Sequence, residues 1–258
     1  MSKIALCLGV LLLLGFIVVQ ARRPLQPTTK LRIQKGDSHK IVDPTVIDDA
    51  ELTGRQKEHS RLFKGFDKFN DGRKLKDMAT TQDVHLGIPP GSYLKDPNPD
   101  VTAYLQKKVC EADAVVIGDV TAKEAQIIEE GTFVFTDYTI NVDQIIKDNP
   151  KASLTANSPI IVSRIGGAVL YHNHLIETIH SEELPLRVGR KYVLFLSYVH
   201  KTGAYTNVRK DYDYTLFFLN DKLLQVSEGP LPLGGHVATD ATKFVNNLTT
   251  LATGHCGN

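Results

Sequence analysis

The chain has 258 residues, and its thirty basic side chains against twenty-nine acidic ones leave a net charge of +1 at pH 7. So even a balance sets up no field to draw the protein to nucleic acid or acidic lipid. With no tryptophan and few aromatic residues, it also offers a poor stacking surface for bases or sugars.

Residues 1–21 read as a secretory signal peptide. Lys3 precedes an unbroken apolar run from Ile4 to Val19, and Val19-Gln20-Ala21 supplies small residues at a cleavage position. The run falls short of the ~20 apolar residues that cross a bilayer. Arg22 and Arg23 lie on its far side, against the positive-inside bias of a retained anchor. Cleavage after Ala21 is therefore expected, and no later stretch is long or apolar enough to span a membrane. The mature chain is expected to be soluble and exported, secreted or periplasmic. Loss of the signal takes Cys7 with it and leaves Cys110 and Cys256. A lone pair in an oxidising compartment predicts one disulfide.

Residues 22–99 are polar and broken by seven prolines, from Pro24 to Pro99. Thin hydrophobic periodicity predicts little core here and a partly disordered or helical N-terminal segment. Two pieces look helical, around Ala50 to Phe66 and Gly72 to Ala79. Asp67, Asp71 and Gly72 resemble the start of a calcium loop, but Phe69 and Met78 stand where oxygen ligands are needed, so an ordinary turn is expected.

A domain is expected over residues 100–258. Asp100 can cap a helix carrying Val101, Leu105 and Val109 at four-residue spacing. Nine strands follow: Ala114–Val120, Phe133–Ile146, Ile160–Ile165, Ala168–Tyr171, Leu175–Ile179, Lys191–Val199, Tyr205–Val208, Tyr214–Leu219 and Leu223–Val226. Turn signals such as Glu130-Gly131, Gly166-Gly167 and Val188-Gly189 divide them, which points to a barrel or sandwich. In the Phe133 strand the apolar positions switch from odd (Phe133, Phe135) to even (Tyr138, Ile140, Val142), as a coiled or bulged barrel strand requires. Tyr192–Leu196 is apolar on both faces, which predicts a central strand covered on each side. Thr239 or Asp240 can cap a last helix with Phe244, Val245, Leu248 and Leu251 on one face, stopped by Gly254.

The run Val109-Cys110-Glu111-Ala112-Asp113, leading into Ala114-Val115-Val116-Ile117-Gly118, resembles the opening strand of netrin-like modules. These are the OB-type barrels of tissue inhibitors of metalloproteinases and of netrin and complement tails. The segment from Tyr138 to Lys147 is also similar to theirs. Over most of the mature chain, Gly131–Tyr138, Arg164-Ile165-Gly166-Gly167 and Tyr192–Leu196 resemble a group of uncharacterised exported bacterial proteins. These resemblances imply a mostly β, OB-like (netrin-like) barrel with short flanking helices, and export; they supply no activity. Protease inhibition does not carry over, because that family presents an N-terminal cysteine whereas Cys110 lies deep in the chain.

Catalytic signatures are absent from the sequence: no Gly-x-Ser-x-Gly elbow, His-Glu-x-x-His helix, phosphate loop or dinucleotide fingerprint. His172 and His174 share a strand face and could approach one metal ion with Glu177 or His180 nearby; the same triplet fits a hairpin with Asn173 at its tip. Asp137, Tyr138 and Arg164 are polar residues within apolar strands, either structural, as a buried Asp–Arg pair or a Tyr hydroxyl satisfied inside the barrel, or a shallow ligand surface on the barrel face. The residues point to a non-enzymatic binding or interaction module that needs no cofactor and recognises a protein or small ligand, not nucleic acid. The competing expectation is a secreted hydrolase or metal-dependent enzyme using the histidines near 172–180.

Overall fold

The computed structural model describes residues 43–64, 70–88, 101–180, 183, 185–208, 215–219, 222–225, 239–254 and 256. The signal-peptide reading, the proline-rich stretches before residue 43 and after 88, and the Asp100 cap all lie outside these residues. The fold is mostly β.

Five strands form a closed ring: β3 (Ala114–Ile127), β4 (Val134–Lys147), β5 (Pro159–Ile165), β8 (Lys191–Val199) and β9 (Ala204–Asn207). They run in the order β8-β3-β4-β5-β9, and β9 pairs back to β8. Each pairing is antiparallel except β5 with β9, which is parallel. β10 (Leu216–Leu219), β11 (Lys222–Gln225) and β12 (Thr239–Asp240) extend the sheet outward from β8. A second sheet of four strands has the order β1-β6-β7-β2, from β1 (Thr45–Ile47), β2 (Val84–Ile88), β6 (Gly167–Tyr171) and β7 (His174–His180).

Three apolar clusters follow from this layout. Val116, Tyr138, Ile140, Val142, Val162, Leu194 and Tyr205 fill the ring. A second cluster joins β3, β8 and β10 to α3 (Val101–Glu111) and α4 (Ala241–Thr253). As expected of a strand covered on both sides, β8 sends Tyr192, Leu194 and Leu196 to the ring interior, and Val193 and Phe195 to the helices. The third cluster lies under the four-stranded sheet and gathers Phe63, Leu75, Ala79 and Val84 around Phe133, Val134 and Phe135. The expectation of little core before residue 100 therefore fails for the described part of that stretch. The described residues between 43 and 88 belong to the same compact unit as the ring and supply the two outer strands of the four-stranded sheet. Both helical pieces expected there are present, as α1 (Gly54–Leu62) and α2 (Leu75–Met78).

The expected change of face along β4 is a change of cover: Phe133 and Phe135 meet the cluster around Phe63, and Tyr138, Ile140 and Val142 the ring interior, with unbroken pairing to β3 from Phe135 to Tyr138. The register shifts lie elsewhere, at Val115/Val116, Ile117/Gly118 and Val120/Ala122 of β3. Gly118 allows the close approach there, since a Cβ would stand 2.5 Å from the Asn141 carbonyl oxygen. The chain leaves the ring for the second sheet at Gly166-Gly167. Both have positive φ, 88° and 143°, and a Cβ on Gly167 would fall 2.1 Å from Thr136 Oγ1, which donates to the Gly166 carbonyl at 2.7 Å. Only glycine tolerates that backbone and that contact. Gly167→Ala is expected to cost about 2–4 kcal/mol, combining backbone strain with overpacking. Urea unfolding measures it, and a loss within about 0.5 kcal/mol, the range of an ordinary surface change, would contradict this view of the corner.

α4 is capped by Asp240, whose carboxylate accepts from the Lys243 amide at 2.7 Å, and it buries Phe244 and Leu248. Cys110 and Cys256 form the expected disulfide. Lys147 ties down the same end of α3 by donating to the carbonyls of Val109 (2.8 Å), Cys110 (3.3 Å) and Ala112 (2.6 Å), where a cation complements the helix dipole.

Two carboxylates make stability fall in acid. Asp148 is held below the usual carboxylate range first by the Leu154 amide, then by the Ser153 hydroxyl and Asn149 amide, against a small opposing effect of burial. Burial pushes Asp113 up, but the Tyr198 amide at 2.8 Å and Lys151 at 3.1 Å outweigh it and leave that carboxyl low as well. A depressed folded pKa contributes stability above the unfolded value that is lost as pH falls through the folded one. Asp148→Asn should thus be less stable than wild type at pH 7, with the gap shrinking below about pH 4. A gap in urea midpoints that widens on acidification would contradict this.

Candidate functional site

α1 begins with a reciprocal cap: Thr53 Oγ1 accepts from the Gln56 amide at 3.3 Å, and Gln56 Oε1 accepts from the Thr53 amide at 2.8 Å. The face that α1 buries is polar, formed by Gln56, His59 and Ser60 at the i, i+3, i+4 spacing of one helix side. Gln56 Nε2 donates to Glu124 of β3 at 2.7 Å, and Ser60 Oγ accepts from the Glu129 amide at 2.8 Å. His59 is fully buried. Its Nδ1 lies 2.8 Å from both carboxylate oxygens of Asp137 and its Nε2 lies 2.9 Å from Thr202 Oγ1. Arg55 adds a longer contact to Asp137 at 3.9 Å.

An Nδ1–H donated to Asp137 leaves Nε2 to accept from the Thr202 hydroxyl. This carboxylate–imidazole–hydroxyl order is the one nucleophilic catalysis uses. The imidazole exposes no surface, and the Thr202 oxygen also accepts from the Ala204 amide at 3.4 Å. The arrangement clamps α1 to β4 and to the turn between β8 and β9.

What the clamp holds in place is one wall of a cleft of about 580 Å³, within the size range of ligand-holding pockets. Its walls come from the loop 47–52 leading into α1, from Lys74, Lys76 and Asp77 at α2, and from the β3–β4 turn at 126–131, with Tyr171 also lining it. Ile127 and Ile128, 5% and 3% exposed, give it an apolar floor. The rim is charged. Lys57 pairs with Glu51 at 3.1 Å. Lys76 pairs with Asp49 at 3.3 Å, donates to the Asp48 carbonyl at 3.1 Å and sits 4.7 Å over the Tyr171 ring. The Tyr171 hydroxyl donates to Asp49 at 2.7 Å; that bond and then Lys76 hold the exposed Asp49 carboxyl below its usual range, and the same bond pushes the Tyr171 phenol up.

The residues singled out from sequence are not brought together. Asp137 pairs with Ser163 across the β4–β5 ladder while Tyr138 pairs with Val162, so Asp137 faces α1 and Tyr138 faces the ring interior. An Asp137–Arg164 pair is excluded by the same alternation; the partner of Asp137 is His59. Tyr138 is 2% exposed and Arg164 1%, and Arg164 Nη1 donates to Thr215 at 2.9 Å. Burial pushes the Tyr138 phenol up to about 12, opposed by Arg164 and by hydrogen bonds with Thr136 and Leu186. These three side chains thus do not form an open ligand surface.

His172 and Asn173 adopt positive φ, 46° and 67°, and form the two-residue tip between β6 and β7. His172 stacks on Tyr171 at 4.1 Å between centroids and approaches Asp49 at 3.6 Å, whereas His174 approaches Asp83 at 3.9 Å. His180 is buried, its Nδ1 accepting from the Glu183 amide at 3.1 Å. Among the described residues no group of three or more His, Cys, Asp or Glu side chains is placed to hold a metal ion. Nor is any described helix long and apolar enough to cross a membrane. No protein-family model and no curated protein matches the chain.

Proposed function

We propose that this chain is a non-enzymatic binding module, exported by its first twenty-one residues, whose five-stranded ring is an OB-type barrel and whose partner docks in the cleft beside α1. The OB reading rests on the strand order. Three antiparallel strands are closed by two more with a single parallel pairing, β5 with β9, an arrangement that fits a five-stranded Greek-key barrel. Export is supported by the apolar run from Ile4 to Val19 and by the Cys110–Cys256 bridge.

The observation that carries the binding reading is the cleft itself: an apolar floor, a charged rim and a wall fixed by a hydrogen-bonded clamp built on the buried His59–Asp137 pair. Preorganised walls lower the ordering cost of association. The test is a map of backbone amide shifts on titration with a set of small fragments and dipeptides. Perturbations should concentrate at residues 47–52, 74–77 and 126–131. Perturbations that gather elsewhere, or a fragment chemically turned over, would overturn the reading.

A further inference from the structure

On the reading that the cleft is the docking surface, we infer that its occupant is a basic peptide segment, with lysine or arginine side chains interspersed with aliphatic ones. The charge of the lining carries the argument. Six carboxylates (Asp48, Asp49, Glu51, Asp77, Glu129, Glu130) stand against three ammonium groups (Lys57, Lys74, Lys76). Three of the carboxylates are already paired, Glu51 with Lys57, Asp49 with Lys76 and Glu129 with Arg61 at 3.8 Å. That leaves Asp48, Asp77 and Glu130 facing the single ammonium group of Lys74.

Glu130 lines the cleft as a partly buried carboxylate whose Oε2 has no hydrogen-bond partner. A guanidinium or ammonium group in the cleft gives this carboxylate a charged partner. The stem of such a side chain is aliphatic and suits the floor at Ile127 and Ile128, because long cationic side chains lay their methylenes on apolar surface and keep the head polar. Lys74 is the counterweight. Among the described residues it has no carboxylate at ion-pair distance, and only its stem is occupied, lying along Gly131.

The probes are a fluorescein-labelled hexapeptide alternating arginine and leucine, and its counterpart with glutamate for arginine. Binding is read by anisotropy on the folded full-length mature chain. The basic peptide should bind saturably and weaken as salt rises. Glu130→Gln combined with Asp77→Asn should weaken it about tenfold or more, Lys74→Met should tighten it, and Asp143→Asn on the ring should leave it unchanged. Thermal melts establish that each variant is folded. Loss of affinity equal for Asp143→Asn and the cleft pair, or no binding of the basic peptide, overturns the inference. Binding of the acidic peptide that is lost in Lys74→Met overturns it too, but leaves the docking reading standing. A random hexapeptide phage library panned on the wild-type chain settles the remaining case: enrichment of cleft-dependent neutral sequences removes only the inference, whereas no cleft-dependent enrichment removes both.

Discussion

Replacing His59 with leucine should lower the free energy of unfolding by about 3–5 kcal/mol, the cost of leaving a buried charge without its partner. Asp137 is 4% exposed at its side chain, and its two oxygens meet the same imidazole nitrogen at 2.8 Å. Leucine fills much of the ring's space but donates nothing, and Arg55 at 3.9 Å is too far and too exposed to substitute. The loss should be non-additive. A His59→Leu, Asp137→Leu double variant removes the charge together with its partner, and should recover most of the stability, since well-packed apolar replacements of buried ion pairs are often neutral. Urea unfolding with unchanged m-values measures both. A single-variant loss below about 1 kcal/mol, the range of an exposed ion pair, would mean that α1 is held by something other than this clamp.

Opening the disulfide should have an effect of similar size. Cys110 and Cys256 are 146 residues apart in sequence, and loop-closure entropy for that length sets a ceiling of about 5 kcal/mol on the stabilisation. The bridge joins the end of α3 to the tail after α4, whose apolar faces (Leu105 and Val109 against Phe244 and Leu248) share one cluster. Cys110→Ser combined with Cys256→Ser, and the wild-type chain under reductant, should show the same large drop in urea midpoint. Midpoints that stay together with the oxidised wild type would show that the helix pair holds itself closed without the covalent tie.

The ring and both terminal helices were readable from the sequence because they obey hydrophobic period. β8 is expected and observed over Lys191–Val199, and α4 stops at Gly254 as its pattern predicts. β3 ends seven residues later than expected, at Ile127. Its second half begins Thr121-Ala122-Lys123-Glu124, a stretch with no buried residue and therefore no apolar alternation to detect.

The clamp was invisible for a related reason. α1 docks through glutamine, histidine and serine, so a search for apolar residues at helical spacing passes over it. The usable signal was different: Thr53 with Gln56 three residues on forms a capping box, and the isolated polar Asp137 in an apolar strand needed a partner. Sequence could name Asp137 as unusual but not its partner, which lies 78 positions away on another element. The cleft was equally hidden, since its walls come from three separated segments that only tertiary structure brings together. The histidines at 172 and 174 attracted notice through spacing alone, yet the turn at His172-Asn173 gives them different carboxylate neighbours.

The docking claim is tested most directly by site-specific photo-crosslinking. The photoreactive residue p-benzoylphenylalanine is placed at position 74 on the cleft rim, and in a second protein at position 249 on the exposed face of α4. Each is illuminated with a biotin-tagged random hexapeptide mixture. Adducts from position 74, reduced by Glu130→Gln with Asp77→Asn and far fewer from position 249, are the expected result. Equal yields from the two positions, or adducts from position 249 alone, would contradict the assignment of binding to this cleft.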